Sequence, residues 1–137
     1  ELMVTPMLFT GATSEPAKAL KKEAERRRKL WDDNSRDKTK AGNRLVIIGY
    51  DGDKRYKNVT SYIPGEIIKE VNGKSMSLLE FFVHSPFKDS LVEGRAEADK
   101  NATSIVMQAR FKYTSTATQP SALYLFGGDA DHLSYGL

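Results

Sequence analysis

The chain has no cysteine in its 137 residues, which removes disulfide staples, thiolate zinc sites, iron–sulfur clusters and cysteine nucleophiles together. It leaves the redox compartment unassigned. No apolar run approaches the roughly 18 residues needed to span a bilayer as a helix, and no charged-then-apolar leader precedes a small-residue cleavage site. The first residue is Glu1 rather than Met, so the expectation is a processed or trimmed chain whose targeting segment, if it had one, lay upstream; localisation stays open. Histidine is scarce, with only His84 and His132. No nucleophile elbow, phosphate loop or dinucleotide fingerprint occurs. Asp129, Asp131 and His132 in the tail, and Asp51 with Asp53, fall short of a full metal-ligand set and read as turn chemistry. The expectation is a protein that is not an enzyme and carries no cofactor and no metal.

What the chain does have is 39% hydrophobic and 28% charged residues with a formal net charge of +3, enough for one small core with appendages. The charge is unevenly spread. Residues 15–44 hold eleven Lys/Arg against six Asp/Glu, a net of +5, whereas residues 1–14 and 45–137 each sum to −1. The basicity belongs to one segment.

Residues 1–13 read as an extended apolar arm, because Leu2, Met3, Val4, Met7, Leu8 and Phe9 follow neither helical nor strand periodicity and Pro6 interrupts them. Such an arm packs on its own domain or on a partner. Ser14-Glu15-Pro16 is a helix start, with a Ser cap, an acid in the first turn and an early Pro. The basic helix spans 14–33 with its cap, and its apolar stripe is Ala17, Leu20, Ala24 and Trp31, with Arg27 where the seam would need another apolar residue. Residues 34–43 read as a polar linker.

The body, 44–126, is read as strands. Leu45 to Tyr50 is nearly continuous apolar sequence ending at the turn Asp51-Gly52-Asp53; residues 55–63 follow, broken at Pro64-Gly65, and residues 66–71 close at Asn72-Gly73, a strong turn signal. These three strands are expected as a meander. Residues 75–84 suit a buried strand or a helix. Ser77-Leu78-Leu79-Glu80 matches a capping box and Pro86 is a stop, so a short helix is favoured, a strand pointing instead to an all-β sandwich. Residues 90–98 read as a weak strand. Along 103–114, Ile105, Met107, Ala109, Phe111 and Tyr113 alternate with Val106, Gln108, Arg110 and Lys112, giving one core face and one wet face. A last short strand covers 122–126, and 127–137 is a C-terminal tail. The fold class is therefore mainly β with α: a small five- to six-stranded barrel or roll with the strand order βββαββ of oligonucleotide-binding-type barrels.

Residues 65–75, with Gly65-Glu66, an apolar stretch and Val71-Asn72-Gly73, resemble a strand-and-turn segment of PDZ domains over eleven residues. The Gly-rich carboxylate-binding loop of that family has no counterpart upstream, so no function is carried over.

The functional expectation is a non-catalytic structural or assembly subunit of a larger complex, meeting other protein chains with acidic surface. Its contacts are expected at Leu2, Met3, Leu8 and Phe9 in the arm, Arg26, Arg28 and Trp31 on the helix, and Leu133 and Tyr135 in the tail, cations steering and apolar anchors binding. The alternative is a single-stranded nucleic-acid-binding protein, using Tyr56 and Tyr62 as stacking rings with Arg26, Arg27, Arg28, Lys40 and Lys57 on phosphates. His84, in an apolar segment, reads as a helix-end or core-edge residue.

Overall fold

A computed structural model describes residues 1–37, 40, 45–48, 59–86 and 104–127. The apolar run at Leu45–Ile48, strand β2, is buried at every position, as expected of a strand covered on both faces. Its two faces feed two separate cores. Leu45 and Ile47 pack with Val4 and Ala24, while Val46 and Ile48 pack with Ile68 and Val83. Burying four such side chains contributes about 6–12 kcal/mol relative to leaving them in water.

The N-terminal segment is part of this architecture, which corrects the reading of an arm without regular structure. Leu2–Val4 forms β1 and pairs parallel with β2, Leu2 opposite Leu45 and Val4 opposite Ile47. Met7–Gly11 forms the short helix α1, and Glu15–Asp33 forms the long helix α2. Parallel neighbours require a crossover, and the two helices supply it. β2 pairs parallel in turn with β3, Thr60–Tyr62, so the expected meander is replaced by a parallel sheet of order β1-β2-β3.

Local signals place the helix ends well. Ser14 Oγ accepts from the Ala17 amide at 3.4 Å and Pro16 lies in the first turn. At the other end Arg36 N–H donates to the Trp31 carbonyl at 2.9 Å and Ser35 N–H to Asp32 at 3.1 Å. This double bond closes the helix with Ser35 and Arg36 both at positive φ. Of the expected stripe, Ala24 and Trp31 are buried, Ala17 is half-buried and Leu20 is exposed.

The second sheet is antiparallel, in the order β4-β7-β8-β9, with β4 at Ile67–Ile68, β7 at Leu79–Ser85, β8 at Val106–Phe111 and β9 at Ala122–Phe126. Between β4 and β7, β5 (Glu70–Val71) and β6 (Lys74–Ser75) make a hairpin across Asn72-Gly73, both at positive φ, the turn anticipated from the sequence. The helix expected over 75–84 is corrected to β7. Pairing with β8 from Leu79 to Ser85, and with β4 at Phe81 and Phe82, outweighs a four-residue capping pattern.

One face of this sheet, carrying Ile68, Phe81, Val83, Ile105 and Met107, packs on Met3, Val46, Ile48 and Tyr62 of the parallel sheet. The described residues thus build a mixed α+β fold in layers: helix, three-stranded parallel sheet, four-stranded antiparallel sheet. Among the described residues the sheets do not close into a barrel, and the oligonucleotide-binding-type strand order is not found there. The strand expected at 90–98 lies outside the described residues.

Candidate functional site

The outermost strand of the antiparallel sheet is the least covered apolar element. β9 has the sequence Ala-Leu-Tyr-Leu-Phe and, among the described residues, pairs with β8 alone, from Phe111 opposite Ala122 to Met107 opposite Phe126. Every β9 residue is exposed, Leu123 by 52%, Tyr124 by 61%, Leu125 by 58% and Phe126 by 56%. The layering accounts for one face. The three-stranded sheet packs on Ile68, Phe81, Val83 and Met107 of β4, β7 and β8, and Tyr124 and Phe126 lie one strand further out.

Strand alternation then divides the side chains. Tyr124 and Phe126 share the face of Phe111, whose ring meets Tyr124 edge-on at a centroid distance of 5.6 Å. Leu123 and Leu125 occupy the opposite face. The turn holds the strand in place: Ser121 N–H donates to the Phe111 carbonyl at 2.6 Å and Tyr113 N–H to Ser121 Oγ at 3.2 Å. Alternate main-chain N–H and C=O groups of β9 point away from β8, an open row for another strand. The charged and bulged devices that usually blunt such edges are missing, since residues 113–128 contain no Asp, Glu, Lys, Arg or His. That neutral run in a chain that is 28% charged is the sequence signal that could have found this site.

The alternation read along β8 has the right parity and the wrong solvation. Met107 and Ala109 do face the core, but Phe111 and Tyr113 run past its edge, Tyr113 to 87% exposure. On the supposedly wet face Val106 is fully buried. Arg110 and Lys112 there flank the buried Glu80 carboxylate at 3.5 and 3.4 Å, and Arg110 lies over the Phe82 ring. His84 meets Phe82 edge-on at 4.8 Å, and its Nε2 is buried with no hydrogen-bond partner. The Glu80 pairs brace β7 against β8.

The residues singled out from the sequence are dispersed. Leu2, Leu8 and Phe9 pack half-buried against the first core and Met3 against the second. Trp31, at 8% exposure, is inside the chain's own packing. Glu23 accepts from both Arg26 and Arg27 at 2.7 Å, and these two guanidiniums, Arg26 first, lower its carboxyl from 4.5 to about 2. Further pairs join Lys18 to Glu15, Lys21 to Glu25, Lys29 to Asp33 and Arg36 to Asp32. Arg28 is half-buried and Lys40 exposed. Tyr62 packs against the second core; burial, then the carboxylates of Glu1, Glu70 and Glu66, raise its hydroxyl pKa. Tyr56, Lys57, Leu133 and Tyr135 lie outside the described residues.

An open apolar groove of about 320 Å³ runs between β1, α1 and α2, lined by Met3, Val4, Leu8, Ala17 and Leu20 among others, with no titratable side chain in its wall. Among the described residues no cluster of three metal-ligating side chains occurs, and no helix is long and apolar enough to cross a membrane. No family model, curated protein or solved structure matches the chain.

Proposed function

We propose that this protein is a non-catalytic assembly subunit that docks through the uncovered β9 edge. The observation that supports the reading is the combination at Ala122–Phe126 of exposure at every residue, apolar side chains on both faces and an outer row of backbone groups with no partner strand among the described residues. A strand added there gains main-chain hydrogen bonds and, at the same time, covers Leu123, Tyr124, Leu125 and Phe126. The arm residues, already packed on the chain's own cores, have a smaller part than the sequence suggested. Helix α2, with seven Lys/Arg and five Asp/Glu, orients acidic neighbours during encounter rather than holding them.

The single-stranded nucleic-acid alternative asks for exposed rings beside free cations on a barrel. Tyr62 sits instead among carboxylates that repel phosphate, and Arg26 and Arg27 are engaged with Glu23, so no observation favours it. The test is the particle size of the protein in gently lysed cells of its source, for wild type and Leu123→Lys/Leu125→Lys. The variant is expected to leave a large particle and run as a small species with an unchanged circular-dichroism spectrum. A variant that stays in the particle as wild type does refutes docking through β9.

A further inference from the structure

We infer that the strand received by the β9 edge is β9 of a second copy of this chain, paired antiparallel about a twofold axis at Tyr124. The inference rests on the docking reading and adds the identity of the partner. Charge is the first argument. Residues 113–128 are neutral while the whole chain carries +3, so an acidic or basic strand finds no complement at this edge, whereas an identical neutral strand meets no like charge.

Shape is the second argument. With Tyr124 on the axis, Leu123 of one copy opposes Leu125 of the other, twice, on one face of the joined sheet. On the other face Ala122 opposes Phe126, small against large, and the two Tyr124 rings meet. Each Tyr124 already touches its own Phe111, so the seam creates a continuous aromatic strip, Phe111 and Tyr124 of one copy followed by Tyr124 and Phe111 of the next. A closed, isologous contact of this kind ends at two copies and removes both free edges at once.

Area sets the strength. Four large side chains 52–61% exposed present on the order of 100 Å² each, and an edge-on partner covers only their flanks, so the seam buries at most roughly 800 Å² in total, below the ~1,200 Å² of standard stable interfaces. The dimer is therefore a concentration-dependent equilibrium.

Sedimentation velocity on the intact chain from about 1 to 500 µM tests this, with Tyr124→Lys, Tyr124→Glu and their equimolar mixture run alongside. Expected are a reversible wild-type dimer, two monomeric variants at least tenfold weaker in self-association, and a dimer restored in the mixture, where opposite charges face across the axis. Tyr124 is exposed enough to be replaced without loss of fold. If either variant fails to fold, Leu123→Lys/Leu125→Lys and Leu123→Lys/Leu125→Glu read the same seam, the first expected monomeric and the second dimeric. A monomeric wild type, variants that dimerise like wild type, or a mixture that stays monomeric each overturn the inference. A monomeric wild type would leave the docking reading to be judged by the particle-size experiment alone.

Discussion

Val4→Ala separates a packed first strand from a loose arm. Val4 is 4% exposed and sits between Ala24, Leu45 and Ile47. The substitution removes two buried carbons, about 1.6 kcal/mol at ~0.8 kcal/mol each. A residual cavity on the order of 40 Å³ adds about 1 kcal/mol at ~24 cal/mol per Å³. The loss of about 2.5 kcal/mol is a large share of the stability of a small domain and lowers the thermal midpoint by roughly 10 °C at ~4 °C per kcal/mol. Differential scanning calorimetry on wild type, Val4→Ala and Tyr124→Ser provides the comparison. Tyr124→Ser, which loses only the edge-on Phe111 contact at an exposed site, is expected to cost about 0.5–1.5 kcal/mol, less than Val4→Ala. A Val4→Ala shift below about 2 °C would refute the packing of β1 on β2.

Glu80→Ala leaves Arg110 and Lys112, each about a fifth exposed, without their counter-charge, and is expected to cost about 2–3 kcal/mol in urea denaturation, below the ~3–5 kcal/mol of a fully buried pair; a cost under about 0.5 kcal/mol would show the triad contributes nothing. Ser35 holds φ +56° at the helix end, so Ser35→Gly is expected to stabilise by about 0.5–1 kcal/mol, the relief of the left-handed penalty exceeding the added chain entropy; a destabilised variant contradicts the cap. The folded-state pKa of Glu23 is depressed from 4.5 to about 2, so its contribution is present above pH 4.5 and lost as pH falls towards 2. The stability gap between wild type and Glu23→Gln is therefore expected to hold above pH 4.5 and to close below it, and a gap independent of pH would contradict the pairing with Arg26 and Arg27.

Features set by neighbouring residues were legible in the sequence. Ser14 with Pro16 located the start of α2, Asn72-Gly73 the hairpin, and the run from Leu45 a buried strand, because each is decided within a few residues of backbone chemistry. Long-range pairing was not. Three residues at Leu2–Val4 show no period of their own and become a strand only by lying beside β2, more than forty positions on. Leu79–Ser85 carries apolar residues that fit either period, and its two antiparallel neighbours decide the outcome. The half-buried Arg110 and Lys112 misled because alternation reveals which side chains share a face and says nothing about what covers it. The neutral run at 113–128 marks the proposed docking edge in the sequence, whereas its position at the end of the sheet depends on long-range strand order.

The central claim is that the outer edge of β9 is uncovered in the isolated chain and closed when it docks. Residue-resolved amide exchange on the intact protein, dilute and then concentrated, measures this directly. The account predicts that alternate β9 amides exchange freely in the dilute monomer while those facing β8 are protected, and that the free set gains protection on association. Uniform protection along Ala122–Phe126 at the lowest concentration would contradict it, because another part of the same chain would then be covering the edge.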